Sequence, residues 1–143
     1  MISNKYAYFN YKITEELEAG IVLISDEVKS VRANRVNIKG SYAKIFFNDK
    51  NSPEVFLVGS HFRTERVDPY RTRKLLLKKT EISRLVGKIN EKGLTLLPLK
   101  MYFKKGLVKV LIGLGKGKKK FDKREAIKKR DAMRRIHHGL KKL

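Results

Sequence analysis

The sequence contains no cysteine. This excludes a disulfide framework, a thiolate nucleophile, an iron–sulfur cluster and a cysteine-based zinc site, and it agrees with a reducing compartment. Hydrophobic runs of membrane length are also missing. The longest apolar stretches, at 21–24 and 108–114, fall far short of the roughly 20 residues that a membrane helix needs, and Lys109 interrupts the second. The first residues, Met1-Ile2-Ser3-Asn4-Lys5-Tyr6, lack the apolar core of a secretion signal, so the expected location is cytoplasmic, with no membrane partner. Histidine is scarce: His61 stands alone, and the adjacent His137 and His138 have no fixed carboxylate neighbours. Neighbouring histidines cannot face one metal from a single helix face, and no acid–base constellation is visible. Neither an enzyme nor a bound metal or cofactor is expected.

Acidic residues are few as well. Fourteen Asp and Glu face 35 Lys and Arg, leaving a net charge of +21 over 143 residues. Solubility does not need such an excess; it selects for polyanions, because each cation brought to a phosphate releases condensed counterions. Residues 1–115 carry a net +11 and residues 116–143 a net +10. This asymmetry divides the chain into a body, 1–115, and a basic tail, 116–143. Gly113-Leu114-Gly115-Lys116-Gly117 reads as a hinge between them.

With 41% hydrophobic residues, the body can bury one core. Strands are predicted at 6–12, 17–24, 42–47, 55–58, 94–103 and 107–114 from their aromatic and aliphatic content. The turn cluster Asn48-Asp49-Lys50-Asn51-Ser52-Pro53 joins two of them, and Lys104-Lys105-Gly106 closes a hairpin between the last two. Ser25 is predicted to cap a helix that ends near Asn34, with Val28 and Val31 on one face. Thr80 is predicted to cap a second, carrying Ile82, Leu85, Val86 and Ile89 and stopped by Gly93. The expected fold is mainly β: a six-stranded antiparallel β-barrel of the OB-fold type with peripheral helices. In the tail, Asp122 opens a weak helical stripe through Ala126, Met133, Ile136, Leu140 and Leu143. Self-repulsion among its cations predicts disorder until phosphates neutralise it.

Several segments offer chemistry suited to RNA. Asp68-Pro69-Tyr70-Arg71-Thr72-Arg73-Lys74 precedes an apolar run, Leu75–Leu77, expected to be buried; its cations are either a solvated rim or phosphate ligands. Glu15-Glu16-Leu17-Glu18-Ala19-Gly20 is either an acidic cluster balancing nearby lysines or a set of acceptors for base amino groups and ribose hydroxyls. Lys29 and Arg32 share a helix face, followed by Asn37, Lys39, Ser41 and Tyr42; this is a solvated surface or an RNA-docking one. Phe121 sits among Lys116, Lys118, Lys119, Lys120, Lys123 and Arg124, where it either stacks on a base or folds back on the body.

Taken together, Asn4-Lys5, Leu17-Glu18-Ala19-Gly20, Glu27-Val28-Lys29-Ser30-Val31-Arg32, Asn37-Ile38, Ser41-Tyr42, the Asp68–Leu77 segment and Gly113 through Arg124 resemble the SsrA-binding protein (small protein B) family over essentially the whole chain. That resemblance implies an adaptor of trans-translation that binds the tRNA-like domain of transfer-messenger RNA (tmRNA), delivers it to the A site of stalled ribosomes, and enables tagging of the nascent peptide. It implies that Asn4, Glu18, Ala19, Gly20, Lys29, Arg32, Asn37 and Leu76 bind RNA or support the binding surface. It places Lys116, Lys118, Lys119, Lys120, Phe121, Asp122, Lys123, Arg124 and Arg130 in the decoding centre and empty mRNA channel, with the tail helical on the ribosome. Implied partners are tmRNA, the ribosome with its small-subunit RNA, and, indirectly through charged tmRNA, elongation factor Tu. Phe121 departs from the family's usual His or Tyr and keeps stacking without the hydrogen bond. A structural ribosomal protein is the rival reading for a basic body with an arm.

Overall fold

The computed structural model describes residues 1–118 together with Arg124, Ile127, Lys128 and Arg130. In chain order the elements are β1 (Ile2–Ser3), α1 (Lys5–Asn10), β2 (Tyr11–Ile21), α2 (Ser25–Arg32), β3 (Val36–Asn37), β4 (Tyr42–Phe47), β5 (Pro53–Val58), β6 (His61–Phe62), β7 (Arg73–Leu76), α3 (Lys79–Lys92), β8 (Thr95–Lys104) and β9 (Leu107–Gly117). Six strands pair antiparallel in the order β8-β4-β5-β7-β2-β9, and a β8–β9 pairing closes them into a ring. β1 adds to β8 through Ile2 opposite Met101, while β3 and β6 form a separate two-stranded ribbon. The mainly β, antiparallel, six-stranded expectation is met.

Strand alternation builds the interior. Leu17 and Ala19 of β2, Val55 and Leu57 of β5, Leu75 of β7, and Val110, Ile112 and Leu114 of β9 are buried in one cluster. α3 adds Ile82 and Leu85, and α2 adds Val31 with half-buried Val28. β8 is apolar on both faces for a separate reason: Leu97 and Leu99 belong to a second cluster, where α1 seats Ala7 and β2 seats Tyr11 and Ile13.

Three local expectations are corrected. Residues 6–10, expected as strand, form α1, because Asn4 caps the segment and Ala7 packs on Leu97 and Leu99. The two strands predicted at 6–12 and 17–24 are replaced by one long β2, with an irregularity between Ile13 and Glu15. The glycines of the expected hinge lie inside β9, which runs two residues past the predicted end of the body and pairs with both β2 and β8. Two of them are needed for close approach: a Cβ on Gly113 would stand 2.7 Å from Leu99 Cδ1, and one on Gly115 would stand 3.0 Å from Tyr11 Cβ.

Helix starts shift slightly. The N-caps are Ile24 and Lys78, not Ser25 and Thr80, and in each case a glutamate three residues on accepts the cap's N–H: Glu27 from Ile24 at 3.0 Å and Glu81 from Lys78 at 3.0 Å. Gly93 terminates α3 in the left-handed region with φ 61°, as its position predicts. The hairpin joining β8 to β9 turns through Lys105 and Gly106, both at positive φ. Asn48 organises the β4–β5 turn by accepting from the N–H groups of Lys50 and Ser52.

Candidate nucleic-acid interface

Pairing register places several of the singled-out residues on one outer surface. Gly20 of β2 lies opposite both Leu76 of β7 and Lys109 of β9, and Lys109 lies opposite Tyr102 of β8. Two residues back on the same face of β2, the Glu18 carboxylate accepts from the Tyr102 hydroxyl at 2.5 Å and the Lys104 ammonium at 3.3 Å. The Tyr102 hydrogen bond, joined by Lys104 and Lys109, holds the Glu18 carboxyl below its ordinary range. Burial, reinforced by Glu18, pushes the Tyr102 phenol up to about 12. At neutral pH the phenol is therefore a donor and Glu18 an oriented anion. A carboxylate offers about four acceptor positions, so two donors leave capacity for a ligand.

Helix α2 borders this surface. Its Val28 joins Gly20, Ile21, Leu76, Leu107 and Lys109 in lining a groove of about 240 Å³. One residue on, Lys29 is exposed, and Arg32, also exposed, sets its guanidinium 5.8 Å from the Phe103 ring centroid. Leu76 is 51% exposed although its neighbour Leu75 is buried. The Leu75–Leu77 run, expected to be buried, therefore alternates within a strand paired on both sides: Leu75 faces the core, Leu76 faces outward and Leu77 is half-buried. Gly20 has a packing role here, since a Cβ would meet Leu76 Cβ at 3.2 Å. Ala19, 1% exposed, points into the core and supports the face without lining it.

The remaining two body residues belong elsewhere. The buried Asn4 side chain donates to the carbonyls of Ile38 and Pro98 at 3.2 and 2.8 Å and accepts from the Ala7 N–H at 3.2 Å. It is a clamp joining three segments. Asn37 is exposed and accepts from the Lys39 N–H at 2.9 Å. Both line a second groove of about 420 Å³ with Lys5, Tyr6, Lys39 and Arg130. The cations lie against rings there, Lys39 over Tyr6 at 5.8 Å and Arg130 over Phe9 at 6.0 Å.

The Asp68–Lys74 cations divide by strand alternation. Lys74 is exposed and pairs with Glu54 at 3.2 Å. Arg73 is fully buried, its Nε 2.5 Å from Glu27 Oε2, and its guanidinium lies 3.9 Å from the Phe62 ring centroid. Arg71 reaches the other Glu27 oxygen at 2.5 Å. Two of the three expected surface cations therefore anchor this loop to α2. The acidic segment divides likewise: Glu15 pairs with Arg84 and Lys88 of α3, the balancing role, while Glu18 faces outward.

In the tail segment, Lys116 is exposed within β9, and Lys118 donates its backbone N–H to Asn10 O and its ammonium to Tyr8 O. Arg124 is exposed. Lys119, Lys120, Phe121, Asp122, Lys123, the apolar stripe Ala126, Met133, Ile136, Leu140 and Leu143 of the expected helix, and His137–His138 lie outside the described residues. Among the described residues, no group of three or more His, Asp or Glu side chains could hold a metal ion, and no helix is long and apolar enough to cross a membrane. Sequence reasoning missed Tyr102, Phe103, Lys104 and Lys109. Period-two alternation along the β8–β9 hairpin was the available signal.

Cations set around one oriented carboxylate suit a partner that presents phosphates together with base and ribose hydrogen-bond donors, as RNA does. The molecule falls in the RNA-binding class. The chain belongs to the SmpB family: the family's profile, described as SmpB protein, matches residues 1–142. Its members are RNA-binding proteins, not enzymes. The SsrA-binding protein of Geobacillus sp. (strain WCH70) is 49% identical over 144 residues, covering 96% of this chain and 90% of the relative. That of Bacillus subtilis (strain 168) is 49% identical, covering 96% and 89%. A solved structure described as "tmRNA-SmpB: a journey to the center of the bacterial ribosome" superimposes with a TM-score of 0.64 at 43% identity, covering 88% of this chain and 93% of its own.

Proposed function

We propose that this protein binds the tRNA-like domain of tmRNA, brings it to the A site of stalled ribosomes in the cytoplasm, and so enables tagging of the unfinished peptide. The observation that carries this reading is the outer rim that Glu18, Gly20 and Leu76 share by strand register, bordered by helix α2 with its exposed Lys29 and Arg32. Lys29 and Arg32 supply phosphate contacts, Glu18 accepts from base or ribose donors, and Leu76 gives an apolar surface for an exposed ribose or base. The relatives' name, SsrA-binding protein, supports the RNA partner, and the solved neighbour's description supports the ribosome. Elongation factor Tu enters only through the charged tmRNA.

The division into body and basic tail is part of the same proposal. Residues 116–143, at net +10, compete with message for the phosphate-lined channel and decoding centre, so a channel emptied by a broken transcript favours this protein. Residues around Phe121 and Arg130 are the ones assigned to that channel.

A chain ending at Lys118 separates the parts: it should keep its affinity for the tRNA-like RNA and lose tagging on stalled ribosomes. Glu18→Ala in the full chain should weaken that RNA affinity on the order of tenfold, although it makes the protein more basic. Equal or tighter binding by Glu18→Ala refutes the assignment of the rim.

A further inference from the structure

We infer that the outer face of β4, β5 and β7 is a separate binding site for unpaired RNA nucleotides, in which Phe46 and Phe56 stack bases and Lys44 and Lys74 hold the flanking phosphates. This does not depend on the tmRNA reading. Register sets Lys44, Phe56 and Lys74 side by side across three strands. Neighbouring strands lie about 4.8 Å apart, so one ring is bracketed by two lysine stems. Phe46 meets Phe56 edge-on, with centroids 5.6 Å apart and an interplanar angle of 70°. It remains 43% exposed.

The core does not call for these rings. Val55, Leu57 and Leu75 fill the interior from the alternate positions, and outward positions of a half-buried strand ordinarily carry polar residues. Charge points to the occupant. Lys44 has no carboxylate partner among the described residues; its ammonium rests 5.1 Å from the Phe46 centroid. Glu54, opposite Phe46 in register, is engaged by Asn48 at 2.8 Å and Lys74 at 3.2 Å, which keep it ionised and paired. An apolar protein segment would have to desolvate both lysines, whereas RNA uses them. Duplex RNA keeps its bases stacked on one another, so only unpaired bases can exploit the rings.

The test uses the full chain with 4-fluorophenylalanine at its seven phenylalanines and octauridine as probe, followed by fluorine NMR. Phe46 and Phe56 resonances, assigned through single substitutions, should shift on titration, and a duplex RNA of equal length should leave them unmoved. Phe46→Ala, checked for folding by circular dichroism, should weaken the response of the Phe56 resonance about tenfold, while Phe46→Tyr preserves it. Affinity of Phe46→Ala for the tRNA-like RNA should be unchanged, which keeps this site distinct from the rim. Phe46 and Phe56 resonances that stay put while Phe121 responds, or that shift equally with duplex, overturn the inference.

Discussion

Replacing Glu27 by alanine removes the carboxylate that two guanidinium groups share. Its side chain is fully buried and accepts from Arg73 Nε and Arg71 Nη2, both at 2.5 Å, and from the Ile24 N–H at 3.0 Å. Arg73 would keep its contacts to the carbonyls of Ser60, Arg71 and Pro69, yet it would remain a fully buried cation without a counter-charge, and α2 would lose its N-terminal closure. Breaking one side of a buried ion pair costs about 3–5 kcal/mol, and a domain of this size loses about 4 °C in Tm per kcal/mol. The expected loss is therefore on the order of 15 °C, read by thermal circular dichroism at pH 7. Acid supplies a second reading. Burial pushes the Glu27 carboxyl up, but hydrogen bonds from Arg71, Ile24 and Arg73 outweigh it and hold the group below 4.5. The unfolded chain then binds the proton more readily, so the contribution is complete above about pH 4.5 and is lost as pH falls through the folded-state value. The gap in Tm between the wild type and Glu27→Ala should narrow below pH 4. A Tm within 3 °C of wild type at pH 7, by the same scale, would refute the account of the buried network.

Tyr102→Phe should let the Glu18 carboxyl rise toward its ordinary range, because the phenol is the largest influence lowering it; carboxyl carbon NMR titration reads this, and an unmoved midpoint contradicts it. Gly113→Ala should cost about 1–3 kcal/mol of stability by overpacking against Leu99, seen as a lower urea midpoint with unchanged slope. Gly93→Ala should cost about 1 kcal/mol, because φ 61° suits glycine and strains a Cβ-bearing residue.

Length, charge and turn chemistry made the antiparallel architecture legible in the sequence, and the Asn48 and Lys105-Gly106 turns fell where their residues require. Residues 6–10 did not yield to the same reasoning. Their aromatics favour strand locally, but Asn4 and the Leu97–Leu99 surface, distant in sequence, favour helix. Arg73 was misread for a comparable reason. Beside Lys74 it looks like a surface charge, and only its alternation with Leu75 and the presence of Glu27, 46 residues earlier, reveal it as interior. Glycines at 113 and 115 signalled freedom of the backbone when the neighbouring side chains demanded close approach. On the rim, Glu18 and Arg32 were visible in sequence, but Tyr102 and Lys104 became partners only once the hairpin was folded back on β2.

β9 is bonded on both flanks, to β2 through Gly117 and to β8 through Gly115, and the next residue is tied to Asn10. A pull on the chain beyond Lys118 therefore loads two rows of ladder bonds in shear, together, instead of peeling them one by one. The seam that shuts the ring is thereby its mechanical anchor, and tension from the carboxy-terminal segment is passed to β2, the strand that bears Glu18.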